Sequence, residues 1–232
     1  MGSSDAFAEF VGLTHLLKNL DIGSISPQER KAFMINIYSS LTIHGLVNGV
    51  LGDASSTTSR LKFYASVSYN INGLVFSLND IEHGILRGNK PSPVPLSSEP
   101  FTTSDTQKLA LCLELDPRIH FALNCGAKGC PPIGVYSAES LDNQLSRATR
   151  GYLSETSVDT DKNIIRISML FKWYRSDFGD SDEEIISWIE QHASADVSNV
   201  IKKNREVNTT TPYVEYLTYD WNLPSSPSKG PV

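Results

Sequence analysis

Apolar residues crowd the chain most densely between positions 30 and 50, and the punctuation just before them sets where the helix begins. Ser26-Pro27-Gln28-Glu29 combines an N-cap serine, a proline suited to the first helical position and a glutamate able to close a capping box. The run from Arg30 to Val50 is apolar on nearly every face, so a buried helix is expected. Asn36, Ser40 and His44 fall at i, i+4 and i+8 and make a polar stripe that needs partners inside the fold. Residues 53–59 read as a loop. Segments 63–71 and 74–78 form a hairpin around Asn72-Gly73, the strongest two-residue turn signal. A short helix capped by Asn79 follows, carrying Glu82, His83 and Arg87, and the prolines of 90–98 rule out regular structure there. Alternation over 118–124 predicts a strand running into the loop Cys125-Gly126-Ala127-Lys128-Gly129-Cys130-Pro131-Pro132. A helix over 137–153, a strand over 163–168, a second capping box at Ser181–Glu184 and a strand over 214–219 complete the pattern. Helices and hairpins mix without a βαβ rhythm, so the class is α+β. The expected organisation is an N-terminal segment 1–24, one domain over 25–223 and a disordered Pro/Ser tail over 224–232.

Composition narrows the function classes. The 232 residues are 40% hydrophobic, with 26 acidic against 20 basic side chains and a net charge of −6. No basic stripe marks a nucleic-acid binder, and no apolar run reaches the roughly 18 residues of a membrane span. The first residues lack the basic and apolar regions of a signal peptide, so a cytoplasmic location is expected. Three cysteines are too few for a disulfide-stapled scaffold.

Those cysteines differ in setting. Cys112 lies between two leucines and reads as core. Cys125 and Cys130 bound a polar loop, where backbone N–H groups and Lys128 are expected to lower a thiol pKa and favour the nucleophilic thiolate. Structural zinc needs four ligands in paired clusters, and scattered histidines do not complete one, so no metal or other cofactor is expected. The pair can also serve as a reversible redox couple. A nucleophilic cysteine needs a base. His15 and His192 have no notable company, and His44 reads as a hydrogen-bonded core residue. His83, beside Glu82, and His120, close in sequence to Cys125, remain as alternative bases. Glu82 has a purely structural alternative as the third residue of an Asn79 capping box. Asn36 reads as a buried brace.

Several blocks together resemble a known family. Residues 33–45 (Phe33-Met34-Ile35-Asn36-Ile37-Tyr38 through His44-Gly45), 78–87, 116–131, 171–179 and 219–223 are similar, in order, to the motifs of the domain-of-unknown-function family 547. Met34 stands where that family commonly has tryptophan, and Ser39 where it has asparagine. The resemblance implies a papain-like or transglutaminase-like fold, with a buried N-terminal helix on an antiparallel sheet. It also implies a Cys-His-acid site of Cys125, His83 and Glu82, with His120 and Cys130 as alternates. Relatives with serine at the second cysteine position favour Cys125 as nucleophile. Asn36, Tyr38, Arg87 and Lys128 are the candidate substrate contacts, although solvated surface charge is the ordinary reading of Arg87 and Lys128. Fusion of some relatives to a glutaredoxin domain points to a peptide or glutathione-type thiol substrate. The expected activity is cysteine-dependent acyl transfer, as in a peptidase, amidase or transglutaminase, with an oxyanion held by the N–H groups of residues 126–129. The alternatives are a non-catalytic binding or regulatory module and a thiol redox sensor.

Overall fold

The structure, a computed structural model, describes residues 4–54 and 56–224, so all but the first residue of the expected disordered tail lies outside the described residues. The chain divides into two compact units, one of residues 1–115, 123–139 and 220–232, the other of residues 116–122 and 140–219. Both mix helix and strand, in keeping with an α+β class.

In the first unit, helix α1 (Asp5–Thr14) is capped by Ser4. Helix α2 (Pro27–Val47) starts where the capping box requires: the Ser26 hydroxyl accepts from the Glu29 N–H, and the Glu29 carboxylate accepts from the Ser26 N–H. Its burial on several faces follows from its composition, with Met34 and Ile35 fully enclosed and Tyr38 and Leu41 nearly so. Arg30 is buried too, because its guanidinium donates to the carbonyls of Ile22, Gly23, Ile25 and Leu111. Helix α3 (Thr57–Ser66) crosses α2 at Gly45, where a Cβ would come within 2.7 Å of the Phe63 ring.

Strands β1 (Ser68–Ile71) and β2 (Leu74–Ser77) pair antiparallel, with Ile71 opposite Leu74. Asn72 (φ +53°) and Gly73 (φ +80°) both take the left-handed conformation that the mirror-image hairpin turn demands. The expected strand over 63–71 is shortened, because residues 63–66 complete α3 under its Ser56 cap. A seven-residue π-helix (Asp80–Leu86) follows, with Arg87 N–H bonding the Glu82 carbonyl and Asn89 N–H the Gly84 carbonyl. Asn79 does not cap it. A reciprocal pair begins it instead: Asp80 N–H donates to the Ser77 hydroxyl and Ser77 N–H to the Asp80 carboxylate. Glu82 is therefore no capping residue and its carboxylate has another use. Residues 90–98 are irregular as expected, and a short helix α4 (Thr106–Leu109) precedes the exit from this unit.

The second unit corrects one expectation. Residues 118–124 are not a strand; Pro117–Phe121 is a 3₁₀ helix, started by Pro117 and by the Asp116 side chain accepting from Arg118 N–H. Residues 119–123 are all buried, so the sequence alternation does not separate a core face from a solvent face. Helix α5 (Leu141–Leu153), strand β3 (Ser157–Asp159) and strand β4 (Ile164–Ile167) follow. After them come α6 (Leu170–Trp173), α7 (Arg175–Phe178), α8 (Asp182–His192), α9 (Ala195–Val207) and β5 (Tyr213–Tyr216). The sheet, in the order β3-β4-β5, is mixed rather than antiparallel, since β4 and β5 run parallel. Phe121, Phe171 and Phe178 form an aromatic core with Trp188, and the Phe171 and Phe178 rings lie 4.5 Å apart.

Gly84 of the π-helix packs directly on Phe101, and a Cβ there would lie 2.3 Å from the ring. Gly84→Ala is expected to lower unfolding free energy by about 1–3 kcal/mol through overpacking, read from chemical denaturation.

Candidate functional site

The loop carrying Cys125 and Cys130 is fixed by its own polar groups. The Asn124 side chain accepts from Gly126 N–H (2.9 Å) and donates to the Pro131 carbonyl (2.8 Å), stapling the loop across its base. Gly126 has φ +88° and lies against α2, where a Cβ would fall 2.7 Å from Leu46. Only glycine meets both demands without strain. Residues 220–222 run along the loop, so that Lys128 N–H donates to the Asn222 carbonyl (2.7 Å) and Gly129 N–H to the Asp220 carbonyl (2.8 Å). Buried Arg60 supports this segment by donating to the Trp221 carbonyl, with its guanidinium 5.0 Å over the Trp221 ring. Cys130 N–H closes a turn onto the Ala127 carbonyl.

These bonds overturn one expectation. The N–H groups of residues 126, 128 and 129, expected to form an oxyanion hole, are already committed to protein oxygens. Lys128 is not directed at a thiol either; its exposed ammonium sits 3.9 Å from the Asp220 carboxylate.

The two sulfurs lie 3.0 Å apart, and Cys125 N–H points at the Cys130 sulfur at 3.2 Å. The Cys125 thiol is pushed well above the usual cysteine range, first by its hydrogen bond to Cys130, then by burial and by the charge of Cys130. Hydrogen bonds from Tyr64 and from the Ala127 N–H oppose this without overcoming it. Local N–H groups were expected to lower this pKa; the neighbouring sulfur and burial win instead. Tyr64, whose hydroxyl also donates to the Cys125 carbonyl (3.4 Å), is itself held protonated mainly by burial. Cys112 is half-buried, its thiol raised by burial and bonded to the Lys108 carbonyl at 3.6 Å.

Glu82 and His83 are buried in the π-helix of the same unit. The Tyr38 hydroxyl donates to the Glu82 carboxylate at 2.8 Å, so Tyr38 serves a protein carboxylate. Arg87 is buried rather than solvated: its guanidinium donates to His83 Nδ1 (3.1 Å) and to the Pro91 carbonyl (2.7 Å). Arginine only donates, so Nδ1 must accept and the neutral ring carries its proton on Nε2. The Glu82 carboxylate is 3.8 Å from that same Nδ1, beyond hydrogen-bond reach. Asn36 braces the chain beyond Cys130, donating to the Tyr136 carbonyl (2.8 Å) and accepting from Tyr136 N–H (2.9 Å).

His120 belongs to the second unit, where its Nε2 pairs with the Asp177 carboxylate at 2.9 Å and its ring stacks on Tyr174 at 3.9 Å. Asp177 escaped the sequence reading. Its signal was a single acid between aromatic residues in the block 171–179, 57 positions from its partner. His44 bonds the Tyr69 hydroxyl, and His192 stacks on Trp188. Among the described residues, no cluster of three or more His, Cys, Asp or Glu is arranged to hold a metal, and no helix is long and apolar enough to cross a membrane.

Residues 22–153 match the family described as protein of unknown function, DUF547, and the chain belongs to that family. No curated protein and no solved structure matches it.

Two outcomes follow from this geometry. Asn36→Ala strips both partners from the Tyr136 backbone and is expected to cost about 1–3 kcal/mol, seen as a lowered melting temperature. Alkylation reports the thiolate fraction, so Cys125 is expected to react more slowly at neutral pH than an unperturbed thiol, with its profile displaced to alkaline pH. Cys130→Ala removes the largest cause of that displacement and should move the profile back toward lower pH; an unchanged profile would show that burial alone sets it.

Proposed function

We propose that the Cys125–Cys130 pair is a thiol–disulfide redox centre acting on a small disulfide or peptide disulfide. The observation carrying this reading is the 3.0 Å separation of the sulfurs, which leaves about 1 Å of approach to a disulfide bond. Asymmetry within the pair supports an order of events. Cys125 keeps its proton, whereas the Cys130 sulfur accepts the Cys125 N–H, an interaction that favours a thiolate. Cys130 thiolate attacks one sulfur of the incoming disulfide, breaking its S–S bond and expelling one thiolate, which takes up a proton. Cys125 then loses its proton and attacks the Cys130 sulfur of the mixed disulfide, expelling the second thiolate. The dithiol gives up two electrons and the substrate disulfide receives them. This reverses the roles expected from the sequence, with Cys130 attacking and Cys125 resolving.

Cysteine-dependent acyl transfer on a papain-like or transglutaminase-like scaffold is the second reading. It is supported by Glu82 and His83 lying consecutively in the unit that holds Cys125. It requires His83 to surrender its Nε2 proton or its Arg87 contact before acting as a base, and a new oxyanion site to replace the committed loop N–H groups. The redox reading uses every group where it stands.

Mass spectrometry of the chain titrated with oxidised glutathione distinguishes the two. A Cys125–Cys130 bridge is expected, restored to free thiols by excess reduced glutathione, with Cys125→Ser trapping a mixed disulfide on Cys130. Free thiols throughout the titration, or trapping on Cys125 in Cys130→Ser but never on Cys130, would overturn the assignment.

A further inference from the structure

A groove of about 560 Å³ lies between residues 14–18, the second half of α2 and the start of β1, and no residue of the cysteine loop lines it. Its volume is in the range of small-molecule sites. Leu41, Val67 and the partly exposed Val50 give it apolar walls. Its charge is one-sided. His15 and Lys18 are basic, and no aspartate or glutamate is among the lining residues. Lys18 stands exposed on the 3₁₀ turn Leu17–Asn19, with no ion-pair partner among the described residues. The other polar groups at the rim, such as Ser68, Asn48 and Asn70, are neutral. Carbonyls at the end of α2 would favour a cation, but the chain answers them itself. Asn48 N–H meets those of His44 and Leu46, and Val50 N–H meets that of Gly45.

His44 and Tyr69, which share this wall, also call for an acceptor. His44 Nδ1 and the Tyr69 hydroxyl lie 2.9 Å apart, and Phe7 and Phe10 meet the imidazole edge-to-face at 5.7 and 5.3 Å. Burial lowers the His44 pKa, so the ring is neutral at pH 7. A neutral imidazole brings one polar hydrogen and a phenol another, and their mutual bond uses one of the two whichever tautomer is present. The second is left for another acceptor, and the aromatic faces nearby accept only weakly.

We infer that this groove binds a small amphiphilic carboxylate, its apolar chain against Leu41, Val50 and Val67 and its head toward Lys18 and the spare hydrogen of the His44–Tyr69 pair. The site is independent of the thiol chemistry, because it shares no residue with the Cys125–Cys130 loop.

An NMR titration of the full chain tests this. The His44 ring signals, identified by their loss in His44→Gln, are followed as octanoate is added at constant pH and ionic strength. A saturable shift is expected. Hexanoate, two methylenes shorter, should bind about tenfold more weakly, and 1-octanol, which keeps the chain and lacks the charge, should also bind more weakly. Lys18→Glu should weaken octanoate about tenfold and leave 1-octanol unchanged. Val50→Asp, at a side chain 49% exposed, places a carboxylate in the apolar wall and should weaken octanoate as well, without disturbing the core. Each variant's amide spectrum reports whether it is folded. No saturable shift with octanoate, 1-octanol binding as tightly as octanoate, or undiminished octanoate binding in either folded variant would overturn the inference.

Discussion

Removing a carboxylate from water is costly unless donors meet it, and the Tyr38 hydroxyl meets that of Glu82 at 2.8 Å. Much of the first unit is organised around this kind of contact along α2. A helix buried on several faces has few polar positions to present, and three of those on α2 are answered by different segments. Asn36 takes the backbone of Tyr136, Tyr38 takes the π-helix, and His44 takes β1 through Tyr69. Gly126 closes onto the same helix against Thr42 and Leu46. The cysteine loop, the π-helix and the hairpin are thus referred to one rigid element, and their mutual positions follow from its register.

That rigidity directs the chemistry. A loop whose N–H groups are spent on Asn124, Asp220 and Asn222 is held in shape but has little left to offer a developing oxyanion. What it does present is two sulfurs close together with unequal hydrogen bonding. Each sulfur lies 3.0 Å from the other, and the groups around them leave Cys125 holding its proton while the Cys130 sulfur accepts the Cys125 N–H. Arg87 acts comparably on His83 by fixing which ring nitrogen carries hydrogen.

Local chemistry was legible in the sequence wherever nearest neighbours decide it. Ser26 and Glu29 set the start of α2, Ser181 and Glu184 that of α8, and Asn72-Gly73 the hairpin turn. The family was legible in the spaced blocks around Asn36, His83 and Cys125. Features decided by distant residues were not. Alternation at 118–124 looked like a strand because burial of both faces cannot be read from polarity when His120 finds a buried partner 57 positions away. Arg87 looked solvated because the Pro91 carbonyl and the His83 ring that receive it depend on the turn between them. The Cys125 pKa was expected on the wrong side because three of the four loop N–H groups visible in sequence were spent elsewhere and that of Ala127 is outweighed by the second sulfur and by burial.

The π-helix carries a consequence for length variation along the chain. Its Glu82–Arg87 and Gly84–Asn89 bonds each enclose one residue more than an α-helical turn does. Deleting a single residue here would let ordinary α-helical bonds form, with little disturbance to helix content. It would also rotate Arg87 relative to His83 and shift Glu82 out of line with Tyr38. A homologue shorter by one position in this stretch would keep the same residue types in the same order while losing their common orientation. In this chain the spacing from Glu82 to Asn89 therefore matters as much as the identities of the residues it separates.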